Sequence, residues 1–209
     1  MGPRPQTPTQ AWQELLEGNA RFVAGTPAHP NQDATHRDRL TQGQRPIASF
    51  FGCSDSRVAA EVIFDQGLGD LFVVRTAGHV VGPTELGSLE FGVDVLEIPL
   101  IAVLGHDSCG AVRATVRAVD EGILPGGFIR DLVERITPSV LTAHRAGMTS
   151  LDQIEAEHVR QTMRLLPERS RTIAARVADG RLALIGLTYS LEEGRARVID
   201  QIGNLMVPG

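Results

Sequence analysis

Four segments of this chain are apolar nearly from end to end rather than on alternate residues. They are 46–52 (Pro-Ile-Ala-Ser-Phe-Phe-Gly), 71–75 (Leu-Phe-Val-Val-Arg), 99–105 (Pro-Leu-Ile-Ala-Val-Leu-Gly) and 182–190 (Leu-Ala-Leu-Ile-Gly-Leu-Thr-Tyr-Ser). A strand that is apolar on both faces belongs in a parallel sheet covered on both sides, whereas a sheet with one wet face would alternate. Helical stretches at 57–66, 84–97 and about 109–121 separate the strands. The alternation predicts an α/β domain with right-handed crossovers. Its mostly parallel central sheet has four strands and helices on both faces. An antiparallel edge strand, 195–200, follows the turn Glu192-Glu193-Gly194.

The flanks of this pattern are helical. Thr7-Pro8-Thr9-Gln10 reads as a capping box with proline at the first helical position, and Trp12, Leu15, Leu16, Ala20 and Val23 follow at helical spacing. The pattern offers this helix no sheet of its own, so it is expected to extend over a partner subunit. Residues 26–34 read as a loop. Near the other end a helix from Phe128 is expected to break near Pro138, and Ser150-Leu151-Asp152-Gln153 starts another that runs to about Leu166. With no linker or repeat, the 209 residues read as a single domain, 1–209, of which 1–34 form an N-terminal helical arm and loop.

The chain has two cysteines, each in a short segment rich in metal-binding side chains. Cys53 opens Cys53-Ser54-Asp55-Ser56-Arg57, and Cys109 closes His106-Asp107-Ser108-Cys109. Two thiolates and an imidazole form a three-ligand zinc set with a fourth tetrahedral position for water or substrate, the usual form of a catalytic site. Cys53 falls at the end of the first strand and His106 at the end of the third, where open α/β sheets gather ligands. Cys109 begins the next helix, whose N-terminal partial charge favours a thiolate. Asp55 is placed to accept a hydrogen bond from a water on the metal or to become a fourth ligand, and Arg57 is suited to hold it ionised. The competing arrangements are two buried cysteines without metal and a structural zinc closed permanently by Asp55. His29, His36, His144 and His158 read as solvated, and His79 as a surface or core residue.

Composition narrows the function. A net charge of −5 with scattered arginines argues against nucleic acid as a partner, and no apolar run is long enough for a membrane span. All 20 basic residues are arginine, which rules out lysine Schiff-base and Walker A chemistry. The first residues, Met1-Gly2-Pro3-Arg4, show no secretory apolar region, so a cytoplasmic location is expected, where paired cysteines bind metal more often than they bridge.

The two cysteine motifs in this order resemble the signature of the β-class carbonic anhydrases. The resemblance continues through Gln44, Val73-Val74-Arg75 and Leu89-Glu90-Phe91-Gly92-Val93 and covers roughly residues 10–205. It implies one zinc per chain held by Cys53, His106 and Cys109, with Asp55 and Arg57 as the dyad that orients zinc-bound water. Gln44 matches a glutamine that hydrogen-bonds bicarbonate in that family. The implied reaction is reversible hydration of carbon dioxide to bicarbonate and a proton through zinc-bound hydroxide. A homodimer or homotetramer is implied as well. Phe50 stands where some members carry the tryptophan of a regulatory bicarbonate pocket, although Arg75 and Tyr189 match its other members. Such a pocket is therefore not expected. Hydrolysis of carbonyl sulfide or carbon disulfide, and a non-catalytic zinc-stabilised oligomer, are the alternative functions.

Overall fold

The computed structural model describes residues 4–207. Among them five strands form one sheet in the order β2-β1-β3-β4-β5. They are β1 (Ala48–Cys53), β2 (Leu71–Thr76), β3 (Leu100–His106), β4 (Ala183–Tyr189) and β5 (Ala196–Ile202). The first four run parallel, and β5 closes one edge antiparallel to β4 with a bulge at Gly186/Leu187. This is the architecture read from the apolar runs. Every residue of β1 and β3 is buried.

Burial on both faces follows from the side-chain alternation of a strand. Phe50, Leu100, Ala102, Leu104 and Ile185 point to one face, against α1 (Pro8–Val23) and α3 (Ala60–Ile63). Phe51, Ile101, Val103 and Leu184 point to the other, against α4 (Pro83–Asp94) and α7 (Leu151–Arg169). Both capping boxes form, at Thr7/Gln10 and Ser150/Gln153.

Several expectations need correction. The apolar stripe of α1 does have a sheet of its own, because Ala11, Trp12 and Leu15 are buried in the β1–β3–β4 core of the same chain. The loop read over 26–34 is present, but a helix that went unread follows it: α2 (Ala34–Leu40) is capped by Asp33, whose side chain accepts from the His36 N–H. The helix α5 (Gly110–Glu121) agrees with its prediction, but α6 (Ile129–Arg145) runs straight through Pro138. A mid-helix proline costs about 3 kcal/mol. Val133, Ile136, Val140 and Ala143 keep one continuous buried stripe across it, and their burial outweighs that cost. A final helix, α8 (Arg171–Ala178), starts at Ser170, which ends α7 and caps α8.

The chain steps from β1 outward to β2 and then back across β1 to β3. Strand order therefore reverses between β1 and β3, and the carboxyl ends at such a reversal are where sheets of this kind gather ligands.

Candidate metal centre

Cys53 is the last residue of β1 and His106 the last of β3. Cys109 is the N-cap of α5, reached by a turn in which Ser108 takes φ 56°. The two Sγ atoms and an imidazole nitrogen lie within 4.8 Å of one another, and all three residues are buried. The strand-end reading thus places all three side chains together.

The state of His106 can be read from its hydrogen bonds. Nδ1 lies 2.7 Å from the Asp107 carbonyl, which can only accept, so Nδ1 carries the proton. Nε2 is then a bare lone pair, and it is buried with no partner. An orphaned imidazole lone pair beside two thiols fits a soft divalent cation such as zinc. Between the two thiols, a hydrogen bond from Cys109 holds Cys53 well below the usual thiol range and leaves Cys109 pushed up.

Asp55 sits at the mouth of this cluster, with Oδ2 4.0 Å from His106 Nε2. Arg57 occupies the carboxylate from the other side. Its backbone N–H and Nε donate to Oδ1 at 3.0 and 2.9 Å, and Nη2 donates to Oδ2 at 2.7 Å. This fork holds Asp55 well below the usual carboxylate range. Arg75 fixes the loop from beneath by donating Nε to the Cys53 carbonyl at 2.8 Å and Nη2 to the Asp55 carbonyl at 2.6 Å. Phe50 is buried and packs on Phe64 at 4.9 Å between ring centroids.

Gln44 lies elsewhere. It is exposed, precedes β1, and lines a cavity of about 600 Å³ with Asn31, His36, Arg39 and Arg45 at the amino end of the sheet. Strand β1 alone separates that end from Cys53 by about 17 Å.

Two histidines expected in solvent are buried. His36 bonds the Leu68 carbonyl at 2.9 Å, and His158 lies between Ser139 and the Gly78 carbonyl. His79 is fully buried, with Nε2 3.2 Å from Glu155 Oε1. Burial opposes the charge of Glu155, but the hydrogen bond and charge of His79 and the neighbouring imidazoles leave its carboxyl below its ordinary value. Glu155 went unnoticed in the sequence. The available signal was phase: Glu155, His158 and Thr162 share a helical face with the buried Val159, Met163 and Leu166.

A sheet whose strand order reverses at a Cys-His-Cys cluster, with an arginine-held aspartate at its mouth, defines a zinc enzyme of the α/β class. Comparison with known proteins makes this specific. The sequence model described as carbonic anhydrase matches residues 48–196. Carbonic anhydrase 2 of Mycobacterium tuberculosis is 57% identical over 95% of this chain and 96% of its own. The carbonic anhydrase of Mycolicibacterium smegmatis is 56% identical over the same shares. The solved structure of the β-carbonic anhydrase CcaA superposes with a TM-score of 0.69 at 28% identity, covering 90% of this chain and 95% of that one. The chain belongs to the carbonic anhydrase family, in its bacterial β class.

Proposed function

We propose a division of labour among this chain's residues for the reversible hydration of carbon dioxide to bicarbonate and a proton, the reaction that family membership carries. Cys53, His106 and Cys109 hold one zinc ion. When bound there, zinc supplies the Lewis acidity that makes water a nucleophile near neutral pH. Asp55, ionised and oriented by Arg57, accepts a hydrogen bond from a partner on the open side of the site. The same carboxylate is within reach of becoming a fourth ligand once it leaves Arg57. The observation that carries this reading is the buried, unpartnered Nε2 of His106 beside two thiols and 4.0 Å from Asp55.

Gln44 cannot serve the metal centre of its own chain, with β1 between them. We assign it to bicarbonate binding in a neighbouring copy, which makes the working enzyme a homo-oligomer, dimer or tetramer. A cytoplasmic location suits the cysteine pair, whose Sγ atoms approach closely enough that an oxidising compartment would threaten the thiolates. Among the described residues no helix is long and apolar enough to cross a membrane.

Stopped-flow carbon dioxide hydration on protein of measured zinc content tests the reading. Turnover at one zinc per chain supports it. Full zinc occupancy without carbon dioxide turnover would overturn it, and turnover of carbonyl sulfide instead would identify a hydrolase of another gas.

A further inference from the structure

Behind the metal donors lies a buried polar chain that the reaction has not yet used. The single 3-10 turn after β2, Ala77–His79, passes directly under Cys53, and the Gly78 N–H donates to Cys53 Sγ at 3.3 Å. The carbonyl of that same Gly78 is held by His158 Nε2 at 2.8 Å. A carbonyl only accepts, so Nε2 carries the His158 proton, and the Ser139 hydroxyl donates to Nδ1 at 2.9 Å. Burial and the neighbouring His79 hold His158 in this neutral form.

The next residue is held as firmly. His79 stacks on His158 with ring centroids 4.3 Å apart, and its ring bonds Glu155 at Nε2 and Thr162 at Nδ1. Its φ of 39° lies in the left-handed region that a β-carbon disfavours, so the turn needs outside support. Gly78 before it, at φ 64°, has no room for a side chain: a Cβ would lie 2.8 Å from Ala111 Cβ and 2.9 Å from Ile136 Cδ1. Glu155 Oε1 also accepts the His106 backbone N–H at 3.3 Å. Gly105 makes that contact possible, because a Cβ there would stand 2.6 Å from Glu155 Oε1. Glu155, His158 and Thr162 all project from α7.

We propose that His158, His79 and Glu155 are positioning residues of the metal centre. His158 and Glu155, both on α7, and His79, held between them, fix the Gly78 N–H on the Cys53 sulfur and tie down the backbone of His106, so two of three metal donors are set from behind by one helix. The N–H bond offsets negative charge on the thiolate, and the tie to His106 limits how that ligand can move. The inference rests on the zinc reading of Cys53, His106 and Cys109. Groups of this kind are worth about 10–100-fold in metal affinity.

His158→Gln and His158→Asn separate positioning from packing. Glutamine places its amide N–H where histidine has Nε2, toward Gly78, whereas asparagine reaches only the Nδ1 position, toward Ser139. Zinc affinity would be measured by competition with a chromophoric chelator, and the sulfur-to-cobalt charge-transfer band would be recorded on cobalt-substituted protein. The asparagine variant should bind zinc about tenfold more weakly and shift the band, while the glutamine variant should stay with the wild type. Equal behaviour of the two, whether both unchanged or both weakened, would overturn the proposal. Should His158→Asn fail to fold, Glu155→Asp takes its place: the shorter carboxylate draws back from the His106 N–H and from His79, so zinc binding should weaken and the band shift, and an unchanged protein would overturn the proposal. Wild-type protein with no tight zinc would overturn the donor assignment itself, which is distinguishable from tight zinc with no difference between variants.

Discussion

The metal centre has a wet side and a dry side, built from the same kinds of group. In front, Asp55 and Arg57 form a carboxylate–cation pair whose arginine side chain is 52% exposed. Behind, Glu155 and His79 pair with their side chains 3% and 0% exposed. Water competes for every hydrogen bond of the front pair, so its partners can exchange. That suits a carboxylate which must accept a hydrogen bond or reach for the metal. Nothing competes for the rear pair, so it keeps a single geometry and every unmet bond is costly. Proximity to a metal therefore does not define a residue's task; access to water does.

Substitutions at the donors themselves should have the largest effect, because they remove what both sides serve. Cys53→Ser is expected to lose zinc and carbon dioxide turnover together, read by metal analysis and stopped flow. Next, Asp55→Ala should break the front side alone: one zinc per chain is retained while turnover falls on the order of 10² or more. Zinc lost along with activity would mean that Asp55 holds the metal rather than orienting water.

The rear side should respond in stability. Gly105→Ala drives a methyl group to within 2.6 Å of Glu155 Oε1 and 2.5 Å of Val159 Cγ2. Overpacking of that kind costs about 1–3 kcal/mol, and about 2–4 °C of Tm is lost per kcal/mol in a chain of this size. Calorimetry should show a drop of several degrees, and an unchanged Tm would show a loosely held Glu155. The smallest effect concerns pH. Burial, then the charge of His79, bring His158 down to about 4 from an ordinary 6.5. The unfolded chain therefore takes up this proton first, and stability falls as pH drops from about 6.5 toward 4. His79 and Glu155 both face this ring. The comparison is thus with His158→Gln, whose thermal midpoint should vary less steeply with pH over that interval.

Legibility in the sequence follows the same division. Cys53, His106 and Cys109 could be placed because each sits at the end of a strand or start of a helix, and unalternating apolar runs mark those ends. Asp55 and Arg57 came with them, since a fork between residues two apart is a local matter. The rear side was hidden because its bonds span 19 to 83 residues of sequence. His158 looked solvated beside Glu157 and Arg160, and only the α7–sheet packing reveals that its face points inward. Pro138 misled for the opposite reason: the local rule was sound, but the tertiary stripe of α6 outweighed it. Gln44 was recognised by resemblance alone, although the strand read over 46–52 already puts it at the opposite end from Cys53.

The reversal of strand order between β1 and β3 also sets a timetable. Cys53 emerges early in synthesis, yet its two co-ligands follow only after β2 and α4 have been made, and Glu155 later still. A growing chain cannot assemble a complete zinc site until β3 has docked against β1, a pairing across about fifty residues whose loop must close first. The metal is therefore captured by a nearly finished sheet, and its arrival reports that the central strands have found their order.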